Sequence, residues 1–185
     1  MATELHKGKN FANLYATYRP SYPQEIYDQI MAYHLENSLN GRQLAVNVGC
    51  GTGISTLPLV NYFDKVIGTD ISEDMMAHVP KDIPKLECHV SFAEDLEFLE
   101  DRSVDLVTIA TALHWVDEKR FFSEVRRILK PGGTLAVYGL GSEALENNKA
   151  QSYILQMLNL KIVSEFQKFE MSEIPFKNVR RLVTK

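Results

Sequence analysis

Three glycines that follow an apolar run, Gly49, Gly51 and Gly53, have the spacing of a ligand-binding turn. Glycine lets the backbone turn sharply and lets a ligand touch the main chain without meeting a Cβ. If Thr52 caps a helix over 54–59, the start of that helix offers unpaired N–H groups to polar ligand atoms. Asp70 follows about twenty residues later, where nucleotide sites place a carboxylate. The pattern predicts a nucleotide-type site, with an ordinary strand-to-helix turn as the alternative.

The glycine spacing separates two kinds of nucleotide site. The dinucleotide fingerprint is G-x-G-x-x-G, and its third glycine allows a helix to pack closely against a strand. Here the third glycine is Gly53, and the position that the fingerprint requires holds Ile54. The closer G-x-G-x-G spacing disfavours a dinucleotide, and an NAD-dependent oxidoreductase stays open as the less favoured alternative.

Apolar runs and turn signals predict the elements that position this turn. Strands are predicted at 44–48, 65–70, 86–92, 104–110 and 134–138, helices at 10–17, 23–34, 54–59, 72–79 and 118–129, and a turn at 130–133. Alternation of strands and helices indicates an α/β fold with a doubly wound, mainly parallel sheet and helices on both faces. Right-handed crossovers place the first strand near the middle and its glycine turn at the switch point, where ligands bind.

Composition excludes several classes of protein. The 185 residues suit one domain with a core, and the net charge of −4 gives no support for a nucleic-acid surface. No apolar run is long enough to cross a bilayer, and the N-terminus lacks the apolar segment of a signal peptide. Cys50 and Cys88 make no disulfide framework and are interpreted as buried free thiols. A cytoplasmic location is therefore expected.

Five segments match one family in order. They are 46–53, 66–75, 93–96, 112–116 and 128–133. On these segments the chain resembles the class I S-adenosylmethionine (SAM) dependent methyltransferases. Within them it resembles the small-molecule branch of methyltransferase type 11, which includes trans-aconitate methyltransferase-like proteins. The resemblance implies a Rossmann-like fold, S-adenosyl-L-methionine as cofactor, and in-line methyl transfer to a small molecule, with a carboxylate as one candidate acceptor.

The resemblance also implies a cofactor site. The glycines would carry the methionine part of SAM along bare backbone, and Asp70 would accept hydrogen bonds from both ribose hydroxyls. Ala93 and Glu94 would meet the adenine edge, whereas Met75 would pack on adenine or else be a core methionine. Ala110 would line the floor beside the sulfonium. The predicted cofactor residues are Asn47, Gly49, Gly51, Gly53, Asp70, Ile71, Met75, Ala93, Glu94 and Ala110.

Asn47 departs from the family pattern, which usually has Asp or Glu at this position. That carboxylate helps to hold the ammonium end of the cofactor, often indirectly. Asn47 keeps the hydrogen-bonding capacity but loses the charge. Because a charged hydrogen bond is worth about 1–2 kcal/mol more than a neutral one, we expect about tenfold weaker SAM binding.

Two further segments are implied on the acceptor side, and no metal site is predicted. The leader, 18–23, closes the site in the family, so Arg19 would pair with a carboxylate of cofactor or substrate. The predicted substrate residues are Tyr18, Arg19, Tyr22 and Trp115. His114 is the candidate general base for an amine or hydroxyl acceptor, whereas a carboxylate acceptor needs none. The alternatives are a turn-anchoring arginine and packing of His114 and Trp115 at a strand–helix junction.

The resemblance divides the chain into three parts: a helical lid at 1–40, the SAM-binding core at 41–140 and a helical extension at 141–185. The family sheet normally ends in an antiparallel pair of strands, and a helix is predicted over 144–160 instead. We therefore expect the last strands to be missing, leaving the fifth strand as a bare edge. A monomer or a homodimer through that edge is expected. A non-catalytic SAM-binding fragment or regulatory variant is the alternative function.

Overall fold

The computed structural model describes residues 8–36 and 41–139, together with the backbone of 160–164 and 180–182. The helices are α1 (Lys9–Tyr18), α2 (Gln24–Glu36), α3 (Glu73–Met76) and α4 (Glu118–Ile128), with short 3₁₀ turns at Leu57–Asn61 and Leu113–Trp115. The strands are β1 (Leu44–Val48), β2 (Lys65–Asp70), β3 (Leu86–Val90), β4 (Val104–Ala110), β5 (Leu129–Tyr138), β6 (Leu160–Ser164) and β7 (Arg180–Leu182).

The strands form one sheet in the order β3-β2-β1-β4-β5-β6-β7. β1 pairs in parallel with β2 on one side and with β4 on the other, and β2–β3 and β4–β5 are also parallel. The predicted doubly wound, mainly parallel sheet with β1 in its middle is therefore confirmed. Because β1, β2 and β4 are parallel neighbours, their carboxyl ends meet at one edge of the sheet.

The expectation that the last strands are missing is wrong. β6 pairs antiparallel with β5 over Thr134↔Ser164 to Val137↔Lys161, and β7 pairs antiparallel with β6. β5 is therefore not a bare edge. Such strands are difficult to predict because β7 has three residues and two of them are arginines, so neither length nor alternation marks it. The helix predicted over 144–160 lies outside the described residues except at Leu160, which begins β6 instead.

Apolar side chains cover both faces of the sheet. On one face, α2 packs Ile26, Tyr27 and Ile30 against β1, β4 and β5, a spacing that puts all three on one side of the helix. On the other face, α4 buries Phe121, Val125 and Ile128. Ala45 and Val46 of β1 belong to opposite clusters because successive side chains of a strand alternate between the two faces.

Two local predictions are wrong. Thr52 caps no helix, because Gly53 has φ +86° and the chain continues through turns into the 3₁₀ turn at Leu57–Asn61. The predicted turn at 130–133 is an irregularity within β5, whose pairing with β4 shifts register between Val104 and Leu106. Among the described residues, none of the helices has the length and apolar character needed to cross a bilayer.

Candidate functional site

A cavity of about 500 Å³ opens at the carboxyl ends of β1, β2 and β4. This volume falls in the range of small-molecule sites, about 300–1,000 Å³. The lining comes from the glycine turn, the end of β2, the loop after β3, the segment after β4 and one residue of α1. The lining residues are Tyr15, Val48, Gly49, Gly51, Asp70, Ile71, Ser72, Met75, Ser91, Phe92, Ala93, Glu94, Ile109, Ala110, Thr111, Ala112, Trp115 and Val116.

The glycine turn has a conformation that L side chains rarely adopt. Gly49, Gly51 and Gly53 have φ values of +68°, +52° and +86°. A Cβ on Gly49 would also stand 2.6 Å from the Cβ of Ala112, which is closer than atoms can pack. The glycines are therefore required by backbone geometry as well as by access, and Gly49 and Gly51 present bare main chain to the cavity.

The Asp70 carboxylate is fixed by two backbone donors at the end of β2. The Gly51 N–H donates to Oδ2 at 2.8 Å, and the Ser72 N–H donates to Oδ1 at 2.9 Å. Each carboxylate oxygen has room for a second hydrogen bond, since an ionised carboxylate accepts about four. Because Asp70 lines the cavity, it offers two oriented acceptors to a ligand with neighbouring hydroxyl groups.

Asn47 does not line the cavity, although it precedes the glycine turn. The side chain is fully buried, and its Oδ1 accepts hydrogen bonds from Ser55 Oγ at 2.9 Å and Thr56 Oγ1 at 2.7 Å. Its Nδ2 donates to Thr108 Oγ1 at 2.7 Å. Asn47 therefore joins β1 to β4 and ties both to the segment that follows the glycine turn.

The loop after β3 is held against α4. Glu94 Oε1 accepts a hydrogen bond from the Asp117 N–H at 2.6 Å, where α4 begins. Further along, the Arg127 guanidinium donates to the carbonyls of Leu96 and Leu99 at 2.9 and 2.8 Å. These contacts fix the loop that brings Ala93 and Glu94 to the cavity.

The leader between α1 and α2 lies beside the same cavity. Tyr15 contributes to the lining, burial raises the pKa of its phenol, and the Arg19 Cζ lies 5.3 Å from the centre of its ring. Arg19 Nη2 is buried and has no hydrogen-bond partner among the described residues. Tyr22 Oη is hydrogen-bonded to Thr111 Oγ1 at 2.8 Å, and Thr111 has φ +53°, which is strained for a β-branched residue.

The structure brings most of the predicted cofactor residues to one cavity. The members that line it are Gly49, Gly51, Asp70, Ile71, Met75, Ala93, Glu94 and Ala110, together with the predicted substrate residue Trp115. The predicted site residues outside the lining are Asn47, Gly53, Tyr18, Arg19, Tyr22 and His114. Tyr18 is 77% exposed, and His114 is exposed beside Trp115.

Sequence reasoning missed nine lining residues, which are Tyr15, Val48, Ser72, Ser91, Phe92, Ile109, Thr111, Ala112 and Val116. Seven of them are among the last two residues of a predicted strand or the two residues after it, so the rule that ligands bind at the carboxyl ends of strands could have found them. Among the described residues, no group of three or more His, Cys, Asp or Glu side chains is placed to hold a metal ion.

Comparisons with known proteins agree with this geometry. Residues 46–137 match the family model of the methyltransferase domain. A Dictyostelium discoideum protein that is named as a methyltransferase is 35% identical over 134 residues. The match covers 72% of this chain and 49% of the relative. CRG1 of Saccharomyces cerevisiae, named as a probable S-adenosylmethionine-dependent methyltransferase, is 36% identical over 145 residues, which cover 75% of this chain and 48% of the relative. The chain spans about half the length of these curated relatives.

A solved structure supports the same assignment. A protein of Anaeromyxobacter dehalogenans described as a type II methyltransferase superposes with a TM-score of 0.59 at 31% identity, covering 67% of this chain and 50% of that one. The family match, the relatives and the fold all indicate a methyltransferase, and the cavity lies at the switch point of the sheet, where ligands bind in such folds. The described core is a class I S-adenosylmethionine-dependent methyltransferase domain, and its cofactor is S-adenosyl-L-methionine.

Proposed function

We propose that this chain transfers the methyl group of S-adenosyl-L-methionine to a small-molecule acceptor that carries a carboxylate. The observation that carries the cofactor half of the proposal is the Asp70 carboxylate, which Gly51 and Ser72 orient at the edge of a cavity of about 500 Å³. A nucleoside has adjacent hydroxyls that match two oriented acceptors, and each such charge-assisted hydrogen bond contributes about 1.5–3 kcal/mol. When bound, the cofactor supplies a methyl group that its sulfonium already activates.

The residues present fit the cofactor on both sides of Asp70. Gly51 lacks the Cβ that would stand 3.5 Å from the Met75 Cε, so the turn and Met75 leave a narrow space between them. Met75 is 4% exposed and lines the cavity, which suits an apolar wall against a flat base. We assign the opposite edge of the base to Ala93 and Glu94, whose loop is fixed on α4.

We assign the methionine end of the cofactor to Gly49 and Gly51, with Ala110 at the floor. Asn47 takes an indirect part, because it is fully buried and fixes Ser55 and Thr56 beyond the turn. The short turn after Gly53 also depends on backbone hydrogen bonds, with Thr56 N–H and Leu57 N–H donating to the Gly53 carbonyl. These contacts hold the turn ready for a ligand before it binds.

The proposed acceptor side combines apolar walls with the Arg19 guanidinium, which lies beside them. Tyr15, Trp115 and Val116 line the cavity, and Trp115 is 43% exposed. The Arg19 guanidinium lies against the Tyr15 ring, and its buried Nη2 has no hydrogen-bond partner among the described residues. A buried donor without a partner is costly, so a carboxylate that binds there gains a charge-assisted hydrogen bond. This supports the substrate role proposed for Arg19. Among the described residues, Tyr22 is tied to the cavity only through its hydrogen bond to Thr111, and no contact of Tyr18 supports a substrate role.

A carboxylate acceptor also agrees with the position of His114. The imidazole is exposed, lies outside the cavity lining and packs against Trp115, which favours the packing alternative for His114 over a general base. A carboxylate is already a nucleophile and needs no general base, and the protein then has to align it with the methyl group and exclude water. The non-catalytic alternative rests on Asn47 and on the expected loss of the last strands, and the second argument fails because β6 and β7 are present.

The test is transfer of a radiolabelled methyl group from SAM to a panel of small carboxylic acids, with matched amides and alcohols. We expect methyl esters to form from carboxylic acids alone. Arg19→Met should raise KM for the acid by about tenfold or more, as expected for loss of one charged hydrogen bond, whereas Lys9→Met in α1 should not. Methylation of amines or alcohols in preference to acids would overturn the acceptor class. Equal KM values for Arg19→Met and wild type would overturn the role of Arg19.

A further inference from the structure

The two cysteines of the chain meet at one point of the sheet. Cys50 lies in the glycine turn after β1, and Cys88 lies on the edge strand β3, with β2 between them. Gly68 of β2 occupies the position where they meet and is the register partner of Cys88. A Cβ on Gly68 would stand 3.1 Å from Cys50 Sγ and 3.4 Å from Cys88 Sγ. Because Gly68 has no Cβ, both sulfur atoms can lie next to its Cα and close to each other.

The two thiols have unequal environments. Cys50 is buried, whereas Cys88 is exposed, so the expectation that both are buried is wrong for Cys88. Interaction with the Cys50 thiol lowers the pKa of Cys88 to about 7, and the same interaction, together with burial, raises the pKa of Cys50. Cys88 is therefore the accessible thiolate, and Cys50 is the neighbouring protonated thiol.

We infer that Cys50 and Cys88 form a peroxide-sensitive thiol pair whose oxidation to a disulfide displaces the glycine turn and weakens cofactor binding. In the first step the Cys88 sulfur attacks a hydroperoxide. An S–O bond forms and the O–O bond breaks. The leaving group takes up a proton: it is hydroxide and becomes water for hydrogen peroxide, or it is an alkoxide and becomes an alcohol for an organic hydroperoxide. The Cys50 sulfur then attacks the Cys88 sulfenic acid as its thiol proton is lost. The S–S bond forms, the S–O bond breaks, and water leaves.

The disulfide acts on the proposed cofactor site because of where Cys50 lies. Its neighbours, Gly49 and Gly51, both line the cavity, and the Gly51 N–H is one of the two donors that orient Asp70. Cys50 follows β1, and its N–H donates to the Thr69 carbonyl of β2 at 2.9 Å. A disulfide brings its two sulfur atoms to about 2.05 Å, closer than any non-bonded contact between two thiols. Bridging therefore pulls Cys50 and its turn toward β3. This second half of the inference rests on the proposed function, whereas formation of the disulfide does not.

The experiment compares wild type with Cys88→Ser, a variant on an exposed edge strand outside the cavity lining. Both proteins are treated with hydrogen peroxide, the disulfide is mapped by peptide mass spectrometry without reduction, and SAM affinity is measured by calorimetry before and after treatment. We expect a peptide that links Cys50 to Cys88 and an increase in Kd of at least about fivefold in wild type, reversed by dithiothreitol. Cys88→Ser should keep its affinity throughout.

Two results would overturn the inference. If peroxide converts Cys88 to sulfinic acid while Cys50 stays a free thiol, the two residues are not a pair. If the disulfide forms and SAM affinity is unchanged, the turn is not coupled to it. Should reduced wild type fail to bind SAM, the proposed function is contradicted, and disulfide mapping still decides whether the thiol pair exists.

Discussion

Replacing Asn47 with alanine should destabilise the protein through its buried hydrogen bonds and not through loss of a ligand contact. The side chain is fully buried and makes three short hydrogen bonds, to Ser55, Thr56 and Thr108, at 2.7–2.9 Å. Each buried hydrogen bond contributes about 1 kcal/mol net, so Asn47→Ala should lower the free energy of unfolding by about 3 kcal/mol. That is a large part of the 5–15 kcal/mol that is typical of a whole domain.

A control is available in the glycine turn that follows Asn47. Thr52 is also buried, but its hydroxyl has no hydrogen-bond partner among the described residues. Thr52→Val removes that hydroxyl while keeping the shape, so we expect the free energy of unfolding to change by less than about 1 kcal/mol. Both variants are measured by urea unfolding followed by far-ultraviolet circular dichroism. The reasoning is refuted if Asn47→Ala costs no more than Thr52→Val.

Three further predictions concern the glycine turn, a buried histidine and the leader. Gly49→Ala should lower the melting temperature more than Gly51→Ala: both have positive φ, but a Cβ on Gly49 would stand 2.6 Å from its neighbour, against 3.5 Å for Gly51. Equal losses would contradict this. Burial lowers the pKa of His34, so the unfolded state binds its proton first and His34 makes unfolding easier as the pH falls below about 6.5. The free energy of unfolding should therefore fall less steeply in His34→Gln than in wild type over this range, and parallel curves would refute the assignment. Tyr22→Phe removes the hydrogen bond to Thr111 and should cost about 1 kcal/mol, measured by urea unfolding, and a cost of zero would show that the bond does not hold the leader.

The sequence was sufficient to predict the central part of the fold because buried parallel strands are continuous apolar runs. The bounds of β1, β2 and β4 agree with the prediction, and the face of α2 follows from the spacing of Ile26, Tyr27 and Ile30. The helix predicted at 54–59 is wrong because it rests on apolar spacing alone. Pro58 disfavours a regular helix there, and the positive φ of Gly53 cannot be derived from a spacing. β6 and β7 are strands because they pair with β5 and with each other, and the local sequence pattern says little about such pairing.

The candidate site was predictable where a residue's role follows from the backbone, as at a glycine turn or the end of a strand. Gly49 and Gly51 follow β1, Asp70 ends β2, and the structure places all three at the cavity. Asn47 is adjacent in sequence yet points away from the cavity, because successive side chains of a strand lie on opposite faces and its polar partners lie in β4 and the following segment. Tyr15 reaches the cavity from a helix that is distant in sequence, so no local spacing could reveal it.

Calorimetric titration of SAM into wild type and Asp70→Asn tests the central claim most directly. The variant keeps the size of the side chain but loses its charge. Its NH2 group, which cannot accept a hydrogen bond, must face either the Gly51 or the Ser72 N–H donor. We expect SAM to bind wild type and to bind Asp70→Asn at least about tenfold more weakly, for a loss of about 1.5 kcal/mol or more. Asp82→Asn, at an exposed position outside the cavity lining, should bind SAM as wild type does. Equal affinity of SAM for wild type and Asp70→Asn would contradict the assignment of this cavity as the cofactor site.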